Sequence, residues 1–146
     1  MISKIKDVKQ SAIASSLSAE IYGLEVIKKN IENESGNLTR FLVMGKNISQ
    51  PEFKDKTYIT SFLFKLKSKP AALYQALSGP SLNGVNLTKL QSYPVKNSFD
   101  SYFFLCDLEG HIEDAKVQKS LEELGLHCED FHVLGVFEAD SLRQKK

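Results

Sequence analysis

Two short stretches of this 146-residue chain carry side chains that could do chemistry. In Thr39-Arg40-Phe41 a hydroxyl stands next to a guanidinium. Taken alone, a Thr and an Arg at the end of a strand occur in proteins of every kind, and three residues specify little. The second stretch runs Gly84-Val85-Asn86-Leu87-Thr88-Lys89-Leu90-Gln91-Ser92-Tyr93-Pro94. It reads as a tight turn feeding a β-strand that proline closes. The Asn86 amide offers both donors and an acceptor, a set suited to the carboxylate and ammonium of a free amino acid. Gly84 permits the tight turn that aims it. On spacing alone, an Asn capping a turn with no ligand is the better reading.

Other reactive side chains point to less. His127, Cys128 and His132 lie close in sequence, yet His127 and His132 fall on opposite sides of a regular strand. No fourth ligand stands at metal spacing, so no metal site and no cofactor are expected. Cys106 reads as a small core residue rather than a nucleophile. Hydrophobic residues make up 42% and charged residues 25%, ordinary for a globular protein. A net charge of +1 argues against a nucleic-acid footprint, which needs a concentrated basic face. No apolar run approaches a membrane span, and the N-terminus shows no signal-peptide core, so no membrane partner is expected. Two cysteines are too few for a disulfide framework and fit a reducing, cytoplasmic location.

The elements that must position these residues follow from periodicity. Val8 to Tyr22 reads as a helix closed by Gly23. Leu24 to Ile27 is a short candidate strand, 30–37 a turn region, and Leu38 to Met44 a buried strand. Asn47 to Lys56 reads as a linker. From Tyr58 the pattern becomes strand–helix–strand–strand–helix–strand. Phe62, Phe64 and Leu66 alternate along the first strand. Ser68-Lys69-Pro70 opens a helix with Leu73 and Leu77 inward and Pro70 near its first position, and Gly79-Pro80 should end it early. Leu87 and Leu90, three apart, imply a loop up to Leu87 or a bulge near Thr88. Tyr102, Phe104, Cys106 and Leu108 alternate along the third strand, after a turn at Asn97-Ser98. Glu113 and Asp114 occupy the first turn of the second helix, whose stripe is Val117, Leu121 and Leu124 and whose end is Gly125. In the last strand, Phe131, Val133 and Phe137 face one way and His132, Leu134 and Val136 the other. Two split βαβ units give one antiparallel sheet with both helices on one face. The far face would carry Leu63, Phe103, Leu105, Leu134 and Val136, apolar enough to point to self-association. Arg143 to Lys146 reads as a frayed end.

The Gly84–Pro94 stretch resembles the ligand-facing loop and strand of an ACT domain, the βαββαβ module that senses amino acids. In the prephenate dehydratase branch it usually runs Gly-Ile-Asn-Leu-Thr-Lys-Ile-Glu-Ser-Arg-Pro. Here Gln91 stands where Glu is usual and Tyr93 where Arg is usual. Asn37-Leu38-Thr39-Arg40-Phe41 resembles the catalytic Thr-Arg-Phe motif of the same enzymes, preceded in the family's order by Ala12-Ile13-Ala14-Ser15 and Tyr22-Gly23-Leu24. Pro70-Ala71-Ala72-Leu73 aligns with the family's Pro-Gly-Ala-Leu, with Ala71 in place of glycine. A Glu-Gly-His turn, here Glu109-Gly110-His111, is also typical of the family.

The resemblance implies an α+β fold: a ferredoxin-like ACT domain over 58–139, preceded by a helix-and-strand remnant of a catalytic domain over 1–46 and a linker over 47–57. A flexible tail would occupy 140–146. It implies catalytic roles for Thr39, Arg40 and Phe41 in converting prephenate to phenylpyruvate, water and carbon dioxide. Thr39 would assist departure of the ring hydroxyl, and Arg40 could take a substrate carboxylate by two parallel hydrogen bonds. It also implies L-phenylalanine as an allosteric ligand at Ala71, Ala72, Leu73, Asn86, Leu87, Gln91 and Ser92, in a homodimer joined through ACT domains. More than half of a catalytic domain has no counterpart here, so a free-standing amino-acid sensor or a decayed fragment are the alternatives to an enzyme part.

Overall fold

The computed structural model describes residues 2–5, 7–34, 39–96, 98 and 101–144, and the chain divides into two units, Met1–Met44 and Gly45–Lys146. The first unit contains α1 (Ile2–Ile5) and α2 (Ser16–Tyr22). The Ser15 hydroxyl caps α2 by accepting from the Ser18 N–H at 3.2 Å. Gly23, at φ 61°, closes it in the left-handed conformation that glycine adopts without steric cost. The helix expected from Val8 therefore starts only at Ser16. Ser15 satisfies a backbone donor at that point, and nothing upstream rewards further winding. Leu24 to Ile27 and 39–44 are not strands, and Asn37 and Leu38 lie outside the described residues. No described residue before Gly45 is buried; Ile13, Phe41 and Val43 are almost fully exposed.

The second unit is a four-stranded antiparallel sheet of β1 (Tyr58–Leu66), β2 (Leu87–Pro94), β3 (Tyr102–Glu109) and β4 (Cys128–Glu138), in the order β2-β3-β1-β4. Helices α3 (Ala72–Leu82) and α4 (Ala115–Gly125) connect β1 to β2 and β3 to β4. This is the ferredoxin-like βαββαβ arrangement, as expected. Phe62 and Phe64 are fully buried between the sheet and the helices, with Cys106, Leu108, Val117, Leu121, Leu124 and Ala76. The stripe on α4 is where periodicity placed it. Asp114 is its N-cap rather than a first-turn residue, accepting from the Lys116 N–H at 2.8 Å.

Helix α3 departs from expectation in three ways. Its buried face is Ala72, Ala76, Gly79 and Pro80, while Leu73 and Leu77 are half-buried. Pro70 lies outside it, with Ala71 as the N-cap residue. Gly79-Pro80 does not end the helix, which runs on to Leu82. A Cβ at Gly79 would meet the Ser120 carbonyl at 2.9 Å, so the missing side chain lets α3 and α4 approach closely. Pro80 falls in the last turn, where its absent N–H forfeits a single bond and its buried ring compensates.

The sheet has three bulges. Thr88 is the extra residue on β2 between the pairs Leu87–Leu108 and Lys89–Asp107, which explains the three-residue spacing of Leu87 and Leu90. On β4, Glu129 and Leu134 are extra. The bulge at Leu134 shifts the side-chain phase. Val136 therefore pairs with Thr60 on the helix face and is buried, and Phe137, opposite Ile59, turns to the far face instead. Leu63, Phe103 and Leu105 do lie on the far face but are half-buried, and Leu134 is exposed. Asn97, Lys145 and Lys146 lie outside the described residues, and Ser141–Gln144 forms a short 3-10 helix.

Burial sets local stability, and the two units differ sharply in it. Amide exchange is expected to be at least a hundredfold slower in Phe62–Phe64 than in Ser16–Tyr22. Equal protection in hydrogen-exchange mass spectrometry of a monomer would contradict this.

Candidate functional site

Five of the residues expected to contact a ligand fall into two groups, one at each end of α3, while Gln91 and Ser92 lie further along β2, opposite Leu105 and Phe104. At its N-terminal end, Lys69 to Ala71 forms a turn closed by the Ala72 N–H to the Lys69 carbonyl. Ala71 has φ 59° and ψ 16°, the left-handed region where a Cβ is strained. Ala71 is exposed, Ala72 is buried, and Leu73 packs on the core. Beside this turn an open groove of about 190 Å³ is lined by Leu66, Lys67, Ser68, Lys69, Ala72, Tyr102 and Phe104. Aromatic rings and ammonium groups together suit a small molecule with an apolar side chain and a carboxylate.

At the other end, the chain leaves α3 through Gly84, at φ 66°. The Gly84 and Val85 N–H groups return to the Ser81 and Pro80 carbonyls. This turn presents Asn86 on the surface. Its Nδ2 donates to Glu109 Oε2 at 3.0 Å, and its carbonyl accepts from the Glu109 N–H at 2.9 Å. The sequence reading placed Glu109 in a Glu-Gly-His turn and gave it no part beside Asn86. The hairpin register supplies that part: Leu87 pairs with Leu108, so the residue facing Asn86 is Glu109.

Leu87 turns its side chain to the core. Gln91 and Ser92 are exposed and, as neighbours on a strand, point to opposite faces. An eleven-residue helix rises about 16 Å, so within one chain the Ala71 turn and Asn86 stand too far apart to grip one amino acid. Thr39, Arg40 and Phe41 are exposed and outside regular structure, in the first unit.

The remaining reactive groups are quiet. Burial pushes the Cys106 thiol up to about 12 and the Cys128 thiol up to about 11, so neither is a thiolate near neutral pH. His132 Nε2 is 2.8 Å from Asp130 Oδ1. Among the described residues, no three His, Cys, Asp or Glu side chains are grouped to hold a metal ion, and no helix is long and apolar enough to cross a membrane.

The left-handed Ala71 gives a direct test. An L-residue in this region costs about 1–2 kcal/mol, and glycine's extra freedom when unfolded offsets about 0.4–1 kcal/mol of the relief. Ala71→Gly is therefore expected to raise stability by up to about 1 kcal/mol in urea unfolding. A loss of stability would show that the Ala71 methyl makes a contact worth more than the strain.

A family model described as prephenate dehydratase matches residues 1–49. The chain is 38% identical over 134 residues to a bifunctional N-acyl-homoserine lactone acylase/prephenate dehydratase of Komagataeibacter europaeus, covering 92% of this chain and 48% of that protein. It is 41% identical over 133 residues to a bifunctional chorismate mutase/prephenate dehydratase of Aquifex aeolicus, covering 91% of this chain and 36% of that protein. The crystal structure of prephenate dehydratase from Arthrobacter aurescens in complex with L-Phe superposes with a TM-score of 0.57 at 27% identity, over 64% of this chain and 31% of that one. The chain is thus a relative of prephenate dehydratases, and it spans about half or less of the length of the relatives it matches.

Proposed function

We propose that this chain is the phenylalanine-sensing part of a prephenate dehydratase, an enzyme of phenylalanine biosynthesis acting in the cytoplasm. The observation that carries the reading is the Gly84–Asn86 turn. It aims a surface amide, backed by the Glu109 carboxylate, from the end of a βαββαβ module. The solved relative in complex with L-Phe supports phenylalanine as the ligand class.

The separation of the two ligand groups along α3 favours a site shared between copies. In a two-fold pair, the Ala71 turn of one copy would lie beside Asn86 of the other, which no single chain achieves. Asn86 would take the carboxylate or ammonium, and the phenyl ring would rest by the Pro70-to-Leu73 turn. Burying Leu63, Leu105 or Leu134 between paired sheets would contribute roughly 25 cal/mol per Å² of apolar area. Ala71 adds a methyl where close approach is wanted, and Gln91 and Tyr93 lack the charges usual in the family. Each weakens binding; one lost polar contact costs about 1–3 kcal/mol.

Calorimetric titration with phenylalanine, tyrosine and leucine tests this. Weak heat is expected for phenylalanine, strengthened by Ala71→Gly and removed by Asn86→Ala. No heat for any of the three, with nothing restored by Ala71→Gly, would leave the decayed-fragment reading in its place.

In the complete enzyme, Thr39 would assist departure of the ring hydroxyl as water while the ring carboxylate leaves as carbon dioxide, and Arg40 would hold a carboxylate. Such a cleft needs two walls to orient the substrate and exclude water. This polypeptide by itself supplies part of one. Purified, it is expected to form no phenylpyruvate from prephenate; turnover abolished by Thr39→Ala would overturn that expectation.

A further inference from the structure

The stretch before β1, expected as a plain linker, is tied down at three backbone atoms. His111 is buried, and its Nδ1 accepts from the Glu113 N–H at 3.1 Å. That leaves the ring proton on Nε2, which donates to the Pro51 carbonyl at 2.9 Å. The buried Tyr58 hydroxyl donates to the Glu52 carbonyl at 2.8 Å and accepts from the Lys54 N–H at 3.0 Å. Phe53 stacks on His111 at 5.0 Å, and Tyr58 meets the same imidazole edge-on at 4.8 Å.

Glu109, the partner of Asn86, lies two residues before His111, and the turn between them has little freedom. The Gly110 N–H donates to the Tyr58 carbonyl at 2.8 Å, and the Thr60 hydroxyl donates to the Gly110 carbonyl at 2.8 Å. Gly110 sits at φ 132°, and a Cβ there would come within 2.5 Å of Val117 Cγ2. A shift at Glu109 therefore reaches His111 rather than dissipating in a slack loop.

We propose that Pro51–Lys54 is a conformational strap whose hold on the module reports the state of Asn86, through Glu109, Gly110 and His111. With Asn86 bonded to Glu109, the turn is seated and His111 holds Pro51. When a ligand draws the Asn86 amide away, the Glu109 carboxylate is released, the turn relaxes and the strap loosens. The ligand half of this rests on the reading of Asn86 as a ligand contact; the strap half does not. The strap continues upstream into the segment that matches the dehydratase family, so its release is a means of passing the signal on.

The test reads the Lys54 amide by hydrogen exchange without ligand. Asn86 and Glu109 are exposed, and β1 amides in the same spectra register any global loosening. Asn86→Ala and Glu109→Ala are each expected to speed Lys54 exchange about threefold, the double variant no further, because both remove one interaction. Glu109→Gln, which keeps an acceptor oxygen, should stay near the parent. Tyr58→Phe removes both hydroxyl bonds and sets the scale for a freed strap. Lys54 exchange unchanged in both alanine variants while Tyr58→Phe raises it, or an additive double variant, would overturn the proposal. Calorimetry with phenylalanine separates this from failure of the ligand reading, since silence there leaves the Asn86→Ala effect on Lys54 to be read on its own.

Discussion

Everything in the second unit hangs on β1. It is hydrogen-bonded on both sides, to β3 and to β4, and it puts Phe62 and Phe64 under the helices with no exposure at all. Its ends define the ends of the module. Tyr58 carries the strap and pairs opposite Glu138, while Leu66 leads into the Ala71 turn. Because the two phenylalanines stack on each other, with Phe64 also stacked on Phe104 and Phe62 packed at a tilt on Phe131, β1 cannot slide by one residue without exposing the whole set. That register sets Glu109 opposite Ile59, and the pairing of β2 with β3 then brings Glu109 to Asn86.

Much of this was legible in the sequence, because a half-buried strand and an amphipathic helix write their faces directly into residue order. Phe62–Phe64, Cys106–Leu108 and Val117–Leu121–Leu124 were read that way. What periodicity misses is a change of phase. The bulge at Leu134 inserts one residue, and from there Val136 and Phe137 exchange faces. The Gly79-Pro80 pair misled for a related reason: a proline signals helix termination only when local cost decides, and here contact with α4 decides. Helix α2 erred in the opposite direction. Its upstream residues have the right spacing, yet none has anything to pack against among the described residues.

The candidate site was legible only where the resemblance named it. Asn86 alone reads as a turn residue, and the family motif is what raises it to a candidate ligand contact. Ala71 carried a warning, alanine where glycine is usual, and the left-handed backbone gives that warning its physical content. The strap carried no signal at all. Its acceptors are the carbonyls of Pro51 and Glu52, and any residue has a carbonyl.

A site split between copies makes sensing and assembly one equilibrium. If the Ala71 turn and Asn86 must come from different chains, phenylalanine binds the pair and not the single module, so ligand stabilises the pair by mass action. The reverse also holds: whatever weakens the pair weakens ligand binding by the same factor. The half-buried far face, with Leu63, Phe103 and Leu105 among charged and polar neighbours, is less apolar than residue order suggested. In the proposed pair, a face of that kind would support reversible association rather than an obligate interface, so that ligand concentration would shift the population.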